Sequence, residues 1–120
     1  MGDVGDGLQE IVISMVSFYL LRPQVLLWDD FESHKNPHLI AFTLDWLRRL
    51  VEDEGVQVIL ATHSLDVIQS ATELMKDKDW FNILLLDIEE GRLNAKKLSA
   101  DDVIHLKEAG IDVRLAYPIL

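Results

Sequence analysis

The sequence has no cysteine, only three prolines, and about half as many basic as acidic residues (11 Lys and Arg against 21 Asp and Glu). Without cysteine the chain forms no disulfide and offers no thiolate to a metal. The net charge of −10 argues against a large nucleic-acid surface on this chain, and it is compatible with binding a cation or a basic partner. The longest apolar helix candidate, Leu8 to Leu21, is too short to span a bilayer and lacks a signal-peptide layout. We therefore expect a cytoplasmic protein with no membrane association.

What remains is the composition of a folded domain. The chain has 120 residues, of which 49% are hydrophobic, so a core can form. A chain of this length falls in the common size range of one domain and should bury roughly two-thirds of the surface that its unfolded form exposes. We predict a single domain over residues 1–120.

Helix and strand patterns alternate along the chain. The glycine-rich start, residues 1–7, predicts a loop, and residues 8–21 predict a helix whose circumference is mostly apolar and hence buried. The remaining pattern predicts, in order, a strand at 25–28, a helix from Pro37 to about Glu54 with Asn36 as N-cap and Gly55 as terminator, a strand at 56–61, a helix at 65–76, a strand at 83–86, a turn at 89–92, a weaker strand at 93–98, and a helix capped by Ser99 that ends near Gly110. This order predicts an α/β fold, a mostly parallel sheet flanked by helices, with a C-terminal β-hairpin and helix.

Polar side chains follow the first two predicted strands. Asp29 and Asp30 come directly after the first strand, and His63 follows the second. Ligands in open α/β sheets bind at the carboxyl ends of strands, so these three residues converge if the two strands are neighbours. A carboxylate there can hold Mg²⁺ directly or through water, a second can orient an attacking water, and an imidazole can donate to a phosphate oxygen. The pattern predicts phosphoryl chemistry.

The same residues have structural interpretations. Asp29 could cap a helix, Asp30 could be solvated, and His63 could be a loop histidine that forms a hydrogen bond. Asp6 and Gln9 have the spacing of a capping box for the helix that follows.

A zinc site is a further alternative. His34 and His38 lie four residues apart near Glu32, but Pro37 disfavours a continuous helix across both histidines. The three tryptophans, Trp28, Trp46 and Trp80, lie in or beside apolar segments and are expected in the core.

Taken in order, three segments resemble the C-terminal half of an ABC-type ATPase head, closest to the RecF/SMC/OLD-like group of DNA-repair and phage-defence ATPases. "GDGLQ" (residues 5–9), followed by an apolar helix, looks like the signature motif of that group. "VLLWDD" (25–30) looks like Walker B, and "QVILATHS" (57–64) looks like the switch-histidine segment. The resemblance covers about residues 3–98. It implies a partial P-loop NTPase fold, with a core over 5–98 and a C-terminal helix and tail over 99–120.

The resemblance also implies roles for individual residues. Asp29 would bind Mg²⁺ through water, Asp30 would stand where the family has a catalytic glutamate that polarises the water, and His63 would be the switch residue that reaches the γ-phosphate of ATP. The residues that contact a nucleotide held by an opposing subunit would be Gly5, Asp6, Gly7 and Gln9. Pro37 would start the helix after a dimer-contacting loop, residues 33–36.

Two departures from the family pattern matter. Asp30 is one methylene shorter than glutamate, which withdraws its carboxylate by about 1.5 Å, and a misplacement of that size can lower a rate about 10²-fold. The sequence G-x-x-x-x-G-K-[ST], whose backbone cradles the α and β phosphates, does not occur. We therefore expect that the chain alone binds ATP very weakly, if at all, and does not hydrolyse it.

Three functions remain open. The first is an incomplete ATPase head, which would be a split-gene product, a truncated chain or a relic. It would need an N-terminal Walker A lobe and would act as a homodimer of heads. DNA would be contacted only through other parts of the assembly. The second is a scaffold or binding module of the same fold that has lost catalysis. The third is a carboxylate-metal hydrolase using Asp29, Asp30, Glu32 and His34.

Overall fold

The computed structural model describes residues 3–120, which fall into two compact units. The first unit ends at Val67 and the second begins at Ile68. The helices and strands are, in chain order, α1 (Asp3–Leu21), β1 (Val25–Trp28), α2 (Pro37–Glu54), β2 (Gln57–Leu60), α3 (Leu65–Met75), β3 (Ile83–Glu89), β4 (Arg92–Leu98) and α4 (Ala100–Glu108), followed by two short 3₁₀ turns. The single domain over residues 1–120 stays a prediction.

The first unit is built around a two-stranded parallel sheet. β1 pairs with β2 in register from Val25 opposite Gln57 to Trp28 opposite Leu60. Parallel neighbours need a crossover connection, and α2 provides it. The strands and the crossover helix lie within one residue or so of their predicted bounds.

The ends of α2 form for the reasons that the sequence indicates. The Asn36 side chain accepts a hydrogen bond from the Leu39 N–H at 3.0 Å, and Pro37 occupies the first turn, where its missing N–H costs nothing. Gly55 ends the helix with φ +68°, a conformation that glycine adopts without strain. The buried face of this helix is formed by Ile40, Thr43, Leu44, Trp46, Leu47 and Leu50.

The second unit contains an antiparallel hairpin and a capped helix. β3 pairs with β4 from Ile83 opposite Leu98 to Glu89 opposite Arg92. Glu90 and Gly91 connect them with φ values of 51° and 75°, as expected for a tight hairpin turn. Ser99 and Asp102 form the predicted capping box of α4. The predicted α/β class, the parallel pair and the C-terminal hairpin and helix are confirmed.

Two predictions about the N-terminal segment are wrong. The predicted loop over 1–7 is helical from Asp3 onward, so Gly5, Asp6 and Gly7 lie in the first turns of α1. The helix is also not mostly buried, because only one edge of it packs inward. Its exposed apolar residues are Leu8, Val12, Ile13, Val16, Tyr19, Leu20 and Leu21, whereas Ile11 and Phe18 are buried.

The hairpin is likewise open on one face. Leu84, Leu86 and Ile88 of β3 and Leu93 of β4 are exposed. Hydrophobic periodicity assigns an element and its apolar face, but it does not say what covers that face.

Candidate functional site

The carboxyl ends of β1 and β2 lie side by side, within the first unit. Beyond the last pair of the sheet, the Ala61 N–H donates to the Trp28 carbonyl at 2.9 Å, and the Phe31 N–H donates to the Ala61 carbonyl at 3.2 Å. β1 and β2 are therefore neighbours in the sheet, as the convergence of the predicted site residues requires. This pairing places Asp29 and Asp30 at the same edge of the sheet as His63.

Asp29 and Asp30 are both exposed. The Asp29 Oδ1 accepts a hydrogen bond from the Asp30 N–H at 2.9 Å. Two adjacent carboxylates after an apolar strand therefore carry no large desolvation cost here, and their charge by itself does not require a bound cation. They are accessible to whatever binds at this edge.

Asp30 has φ +52°, in the left-handed region. Aspartate and asparagine occur there several-fold more often than most other residues, because their short polar side chains tolerate that backbone. An aspartate at this position thus suits the local backbone.

The two all-protein metal sites considered from the sequence are wrong. Over residues 3–120, no three His, Asp or Glu side chains lie close enough together to hold a metal ion. Neither the set Asp29, Asp30, Glu32 and His34 nor the set Glu32, His34 and His38 forms such a group among the described residues. Mg²⁺ is different, since it is commonly bound through one or two carboxylates, several waters and substrate phosphates. The exposed Asp29 carboxylate fits that mode.

Glu32 connects the two strand ends directly. The Thr62 Oγ1 donates to Glu32 Oε2 at 2.6 Å, and the His63 N–H donates to Glu32 Oε1 at 3.0 Å. Partial burial raises the pKa of the Glu32 carboxyl, but the hydrogen bonds from Thr62, the backbone N–H bonds and the nearby His63 charge outweigh it, so the pKa lies below its ordinary value. The carboxylate is held ionised between the two loops.

The same hydrogen bonds continue into the next helix. Thr62 Oγ1 accepts from the Ser64 N–H at 3.0 Å, and Ser64 Oγ accepts from the Val67 N–H at 3.3 Å. Ser64 therefore caps the start of α3. The His63 residue, between these fixed neighbours, is exposed.

Lys35 is a fully buried cation at the end of the same loop. Its side chain has no exposed surface, and its Nζ donates to the Phe31 carbonyl at 2.7 Å. The Nζ also lies 4.5 Å from the centre of the Trp28 ring and 5.0 Å from that of Phe31, within the range of cation–π attraction. Its ion-pair partner is Glu10 of α1, at 3.4 Å.

Glu10 receives a second bond from the strand, because Trp28 Nε1 donates to Glu10 Oε1 at 2.9 Å. Together with the edge-on contact of Trp28 and Phe31, whose ring centres are 5.2 Å apart, this ties α1 to the loop after β1. We call Glu10, Trp28, Phe31 and Lys35 the supporting cluster.

Gly7 of α1 lies close to the backbone of that loop. A Cβ added at Gly7 would lie 2.0 Å from the His34 carbonyl oxygen, so only glycine fits there without movement. Of its neighbours, Asp6 and Gln9 are exposed and Gly5 is half-buried. Asp6 is not the N-cap of the helix, since the helix begins before it. The nucleotide contacts of these four residues stay a prediction.

Sequence reasoning missed Glu10 and Lys35 as a pair. A signal was available, because Glu10 interrupts an otherwise apolar helix, and a charge at such a position needs a partner. The identity of that partner, 25 positions along the chain, is set only by the way α1 packs on the loop. Trp28 and Trp46 are buried, as predicted. In the part of the chain from residue 3 onward, no helix combines the length and apolarity needed to cross a membrane.

A protein family and two known proteins are similar to this chain in sequence. Residues 1–69 match the family AAA_21, described as "AAA domain, putative AbiEii toxin, Type IV TA system". An uncharacterized protein of Methanocaldococcus jannaschii, MJECL11, is 28% identical over 113 residues, which are 92% of this chain and 99% of that protein. The methionine import ATP-binding protein MetN of Clostridium acetobutylicum is 29% identical over 120 residues, 93% of this chain and 37% of that protein.

A solved chain shares the fold. It comes from work described as "Structural biochemistry of ATP-driven dimerization and DNA stimulated activation of SMC ATPases", with a TM-score of 0.70 and 15% sequence identity over 91% of this chain and 61% of that one. The present chain thus spans about three-fifths of the SMC chain and less than two-fifths of MetN. The family match takes in β1, β2 and both loops that follow them. The chain belongs to the AAA_21 family, and it contains a region like the head of RecF-, SMC- and ABC-type ATPases.

Proposed function

We propose that this chain is the C-terminal part of an ABC-type ATPase head, inactive until an N-terminal lobe with a Walker A sequence completes it. The observation that carries the proposal is the in-register parallel pairing of β1 with β2, which brings Asp29 and Asp30 to the edge that also bears His63. Phosphate chemistry needs carboxylates and a donor at one such edge.

In this proposal the residues keep the roles that the family resemblance implies. Asp29 would hold Mg²⁺ through water, and the bound ion would supply neutralisation of charge on the ATP phosphates. Asp30 orients the attacking water, and His63 donates to the γ-phosphate. The first turns of α1, which contain Gly5, Asp6, Gly7 and Gln9, contact the nucleotide held by an opposing head.

Three features support the need for a completing lobe. The sequence has no phosphate-binding G-x-x-x-x-G-K-[ST] loop. Among residues 3–120, β1 and β2 pair only with each other. The other long side of each strand therefore has backbone groups available to pair with a further strand. Apolar residues of β1 and α1 also line an open groove, including Val25, Leu27 and Ile13, which are exposed. Another lobe would cover such a surface.

The relatives suggest how two heads would assemble and in which biological process the complete protein would act. The SMC work describes ATP-driven dimerization and DNA-stimulated activation, and the family description names a toxin of a type IV toxin–antitoxin system. We propose that two heads sandwich ATP and that the complete protein serves DNA repair or defence. The acidic balance of this chain supports the proposal that any DNA contact lies on other parts of the assembly.

The first experiment is binding. Isothermal titration of the isolated chain with Mg-ATP should give no micromolar dissociation constant, because nothing in the sequence cradles the α and β phosphates. A micromolar constant would refute the dependence on a second lobe.

The second experiment is reconstitution. An N-terminal lobe with a Walker A sequence, encoded beside this chain or taken from a related head, should restore ATP hydrolysis when it is added. Asp29→Ala should abolish that activity, whereas Asp53→Ala, which removes an exposed carboxylate from the end of α2, should leave it unchanged. Equal activity of wild type and Asp29→Ala would refute the assigned role.

One observation favours the second candidate, a catalytically inactive scaffold of the same fold. The Methanocaldococcus jannaschii relative aligns with this chain over 99% of its own length, so a related protein of about this size exists. If no Walker A lobe restores hydrolysis and the chain instead binds a protein partner with wild-type affinity after Asp29→Ala, the scaffold is the better description.

A further inference from the structure

We infer that Glu32 is a positioning residue that holds the backbone of His63 in place at the edge of the sheet. The inference rests on the proposed function, in which His63 is the group that reaches the γ-phosphate. Glu32 itself touches neither nucleotide nor metal in this account. Its role is to act through His63.

The geometry is that of a two-point attachment. Both carboxylate oxygens of Glu32 are used, one by the Thr62 hydroxyl at 2.6 Å and the other by the His63 N–H at 3.0 Å. These partners lie 30 and 31 positions along the chain, so the bonds join two separate loops. Hydrogen bonds to an ionised acceptor are shorter and roughly twice as strong as neutral ones.

The Glu32 end of the attachment is itself fixed. Phe31, the preceding residue, is completely buried, and its N–H is bonded to the Ala61 carbonyl. Lys35 then anchors the loop by donating to the carbonyl of Phe31 at 2.7 Å. Because both the N–H and the carbonyl of Phe31 are hydrogen-bonded, the bond that the His63 N–H donates to Glu32 ties the His63 backbone to a loop segment that is itself held in place.

The pKa of Glu32 agrees with this arrangement. Burial alone would raise it, yet the bonds from Thr62 and His63 bring it below its ordinary value, so the carboxylate stays ionised at neutral pH. The side chain whose electrostatic influence also lowers this pKa is that of His63. The bonds that hold His63 are therefore charge-assisted over the working pH range.

The attachment can be tested on the isolated chain by amide hydrogen exchange. Glu32→Ala removes both bonds, and we expect the His63 N–H to exchange about 10- to 100-fold faster, the range given by a hydrogen bond to a charged group. Glu32→Gln can still accept through one oxygen, so it should rescue part of the protection. Amides of the buried face of α2, such as that of Leu47, should not change, and neither should the His63 amide in the control Glu54→Ala.

Its effect on chemistry is tested in the head completed by a Walker A lobe. Glu32→Ala should lower kcat with little change in KM for ATP, and Glu32→Gln should lower it less. If Glu32 acts through His63, the loss should disappear when His63→Ala is already present. A loss of the same factor in both backgrounds would show that Glu32 does not work through His63, and would overturn the inference.

The two proposals fail in different ways. Unchanged His63 exchange in Glu32→Ala would overturn the attachment, whatever the ATPase result. The other outcome is that Glu32→Ala speeds exchange of the His63 amide but the completed wild-type head does not hydrolyse ATP. That result would refute the proposed function and the positioning role that depends on it, while the two-point attachment would stand.

Discussion

The loop from Asp29 to Asn36 has two halves that differ in almost every physical respect. The first half, Asp29 and Asp30, is exposed and bonded mainly to itself. The second half contains Glu32, bonded to the neighbouring loop, and Lys35, fully buried against two aromatic rings. Residues available for chemistry thus sit next to residues that fix the backbone carrying them, as a preorganised site requires. The comparison predicts large stability effects in the second half and small ones in the first.

The largest effect is expected at Lys35. Lys35→Ala removes the ion pair with Glu10 and the packing of the lysine side chain against Trp28 and Phe31, which should lower the free energy of unfolding by about 2–4 kcal/mol. Urea denaturation followed by circular dichroism measures it. Lys35→Met keeps the apolar stem and is the control, with a loss of less than about 1.5 kcal/mol. If both variants match wild type, the supporting cluster does not stabilise the loop.

A second strong effect is expected where α1 meets the loop. Gly7→Ala would usually stabilise a helix by roughly 0.5–1 kcal/mol, but here the new Cβ would collide with the His34 carbonyl. We expect a loss of about 1–3 kcal/mol in the free energy of unfolding by the same method. Asp6→Ala, at an exposed position of the same turn, should change little, and a stabilised Gly7→Ala would show that the close approach does not exist.

The third effect is a pH dependence that originates in Glu32. Its folded pKa is lowered from 4.5, so its contribution to stability is present above that pH and is lost as the pH falls through the folded pKa. Urea denaturation of wild type between neutral and acidic pH should therefore show an additional loss below about pH 4.5 that is smaller in Glu32→Gln.

Thr62→Val is the matched variant for this test. It removes the hydroxyl donor and nearly keeps the volume, so the pKa of Glu32 should move back toward its ordinary value and the acid-dependent loss should shrink. Identical pH profiles for wild type and both variants would contradict the two-point attachment.

The smallest effects are expected in the first half of the loop. Asp29→Asn and Asp30→Asn change exposed side chains, and asparagine also tolerates the left-handed backbone at Asp30, so stability should stay within about 0.5 kcal/mol of wild type. A loss as large as that of Lys35→Ala would abolish the distinction between the two halves.

Much of the fold could be predicted because its signals are local. Asn36 and Pro37 start a helix and Gly55 ends it through properties of the residues themselves, and Ser99 with Asp102 does the same for α4. The first strand was predicted to the residue, since four consecutive apolar residues lie between a proline and two aspartates. The start of α1 was predicted wrongly because glycine and aspartate are poor helix formers on average. In the structure these residues are helical, and Gly7 packs against the His34 carbonyl.

The candidate site likewise contains some residues that the sequence indicated and others that it did not. Residue types and order indicated Asp29, Asp30 and His63, and the parallel pairing of β1 and β2 confirmed that their strands are neighbours. Glu32 was considered from the sequence only as a metal ligand, because nothing local shows that Thr62 and the His63 N–H would point at it. Lys35 itself gave no signal, because a lysine in a polar loop is normally exposed. The residue that pairs with it, Glu10, lies in α1, 25 positions away.

The sequence by itself determined the order of the elements, the absence of a phosphate-binding loop and the residues that stand at the strand ends. Only the tertiary structure decided that Asp29 and Asp30 are exposed, that Glu32 holds the loop after β2, and that Lys35 is buried against Trp28 and Phe31. The physical reason is range. Caps, turns and periodicity act over a few residues, whereas burial and charge pairing depend on which distant segments the packed chain brings together.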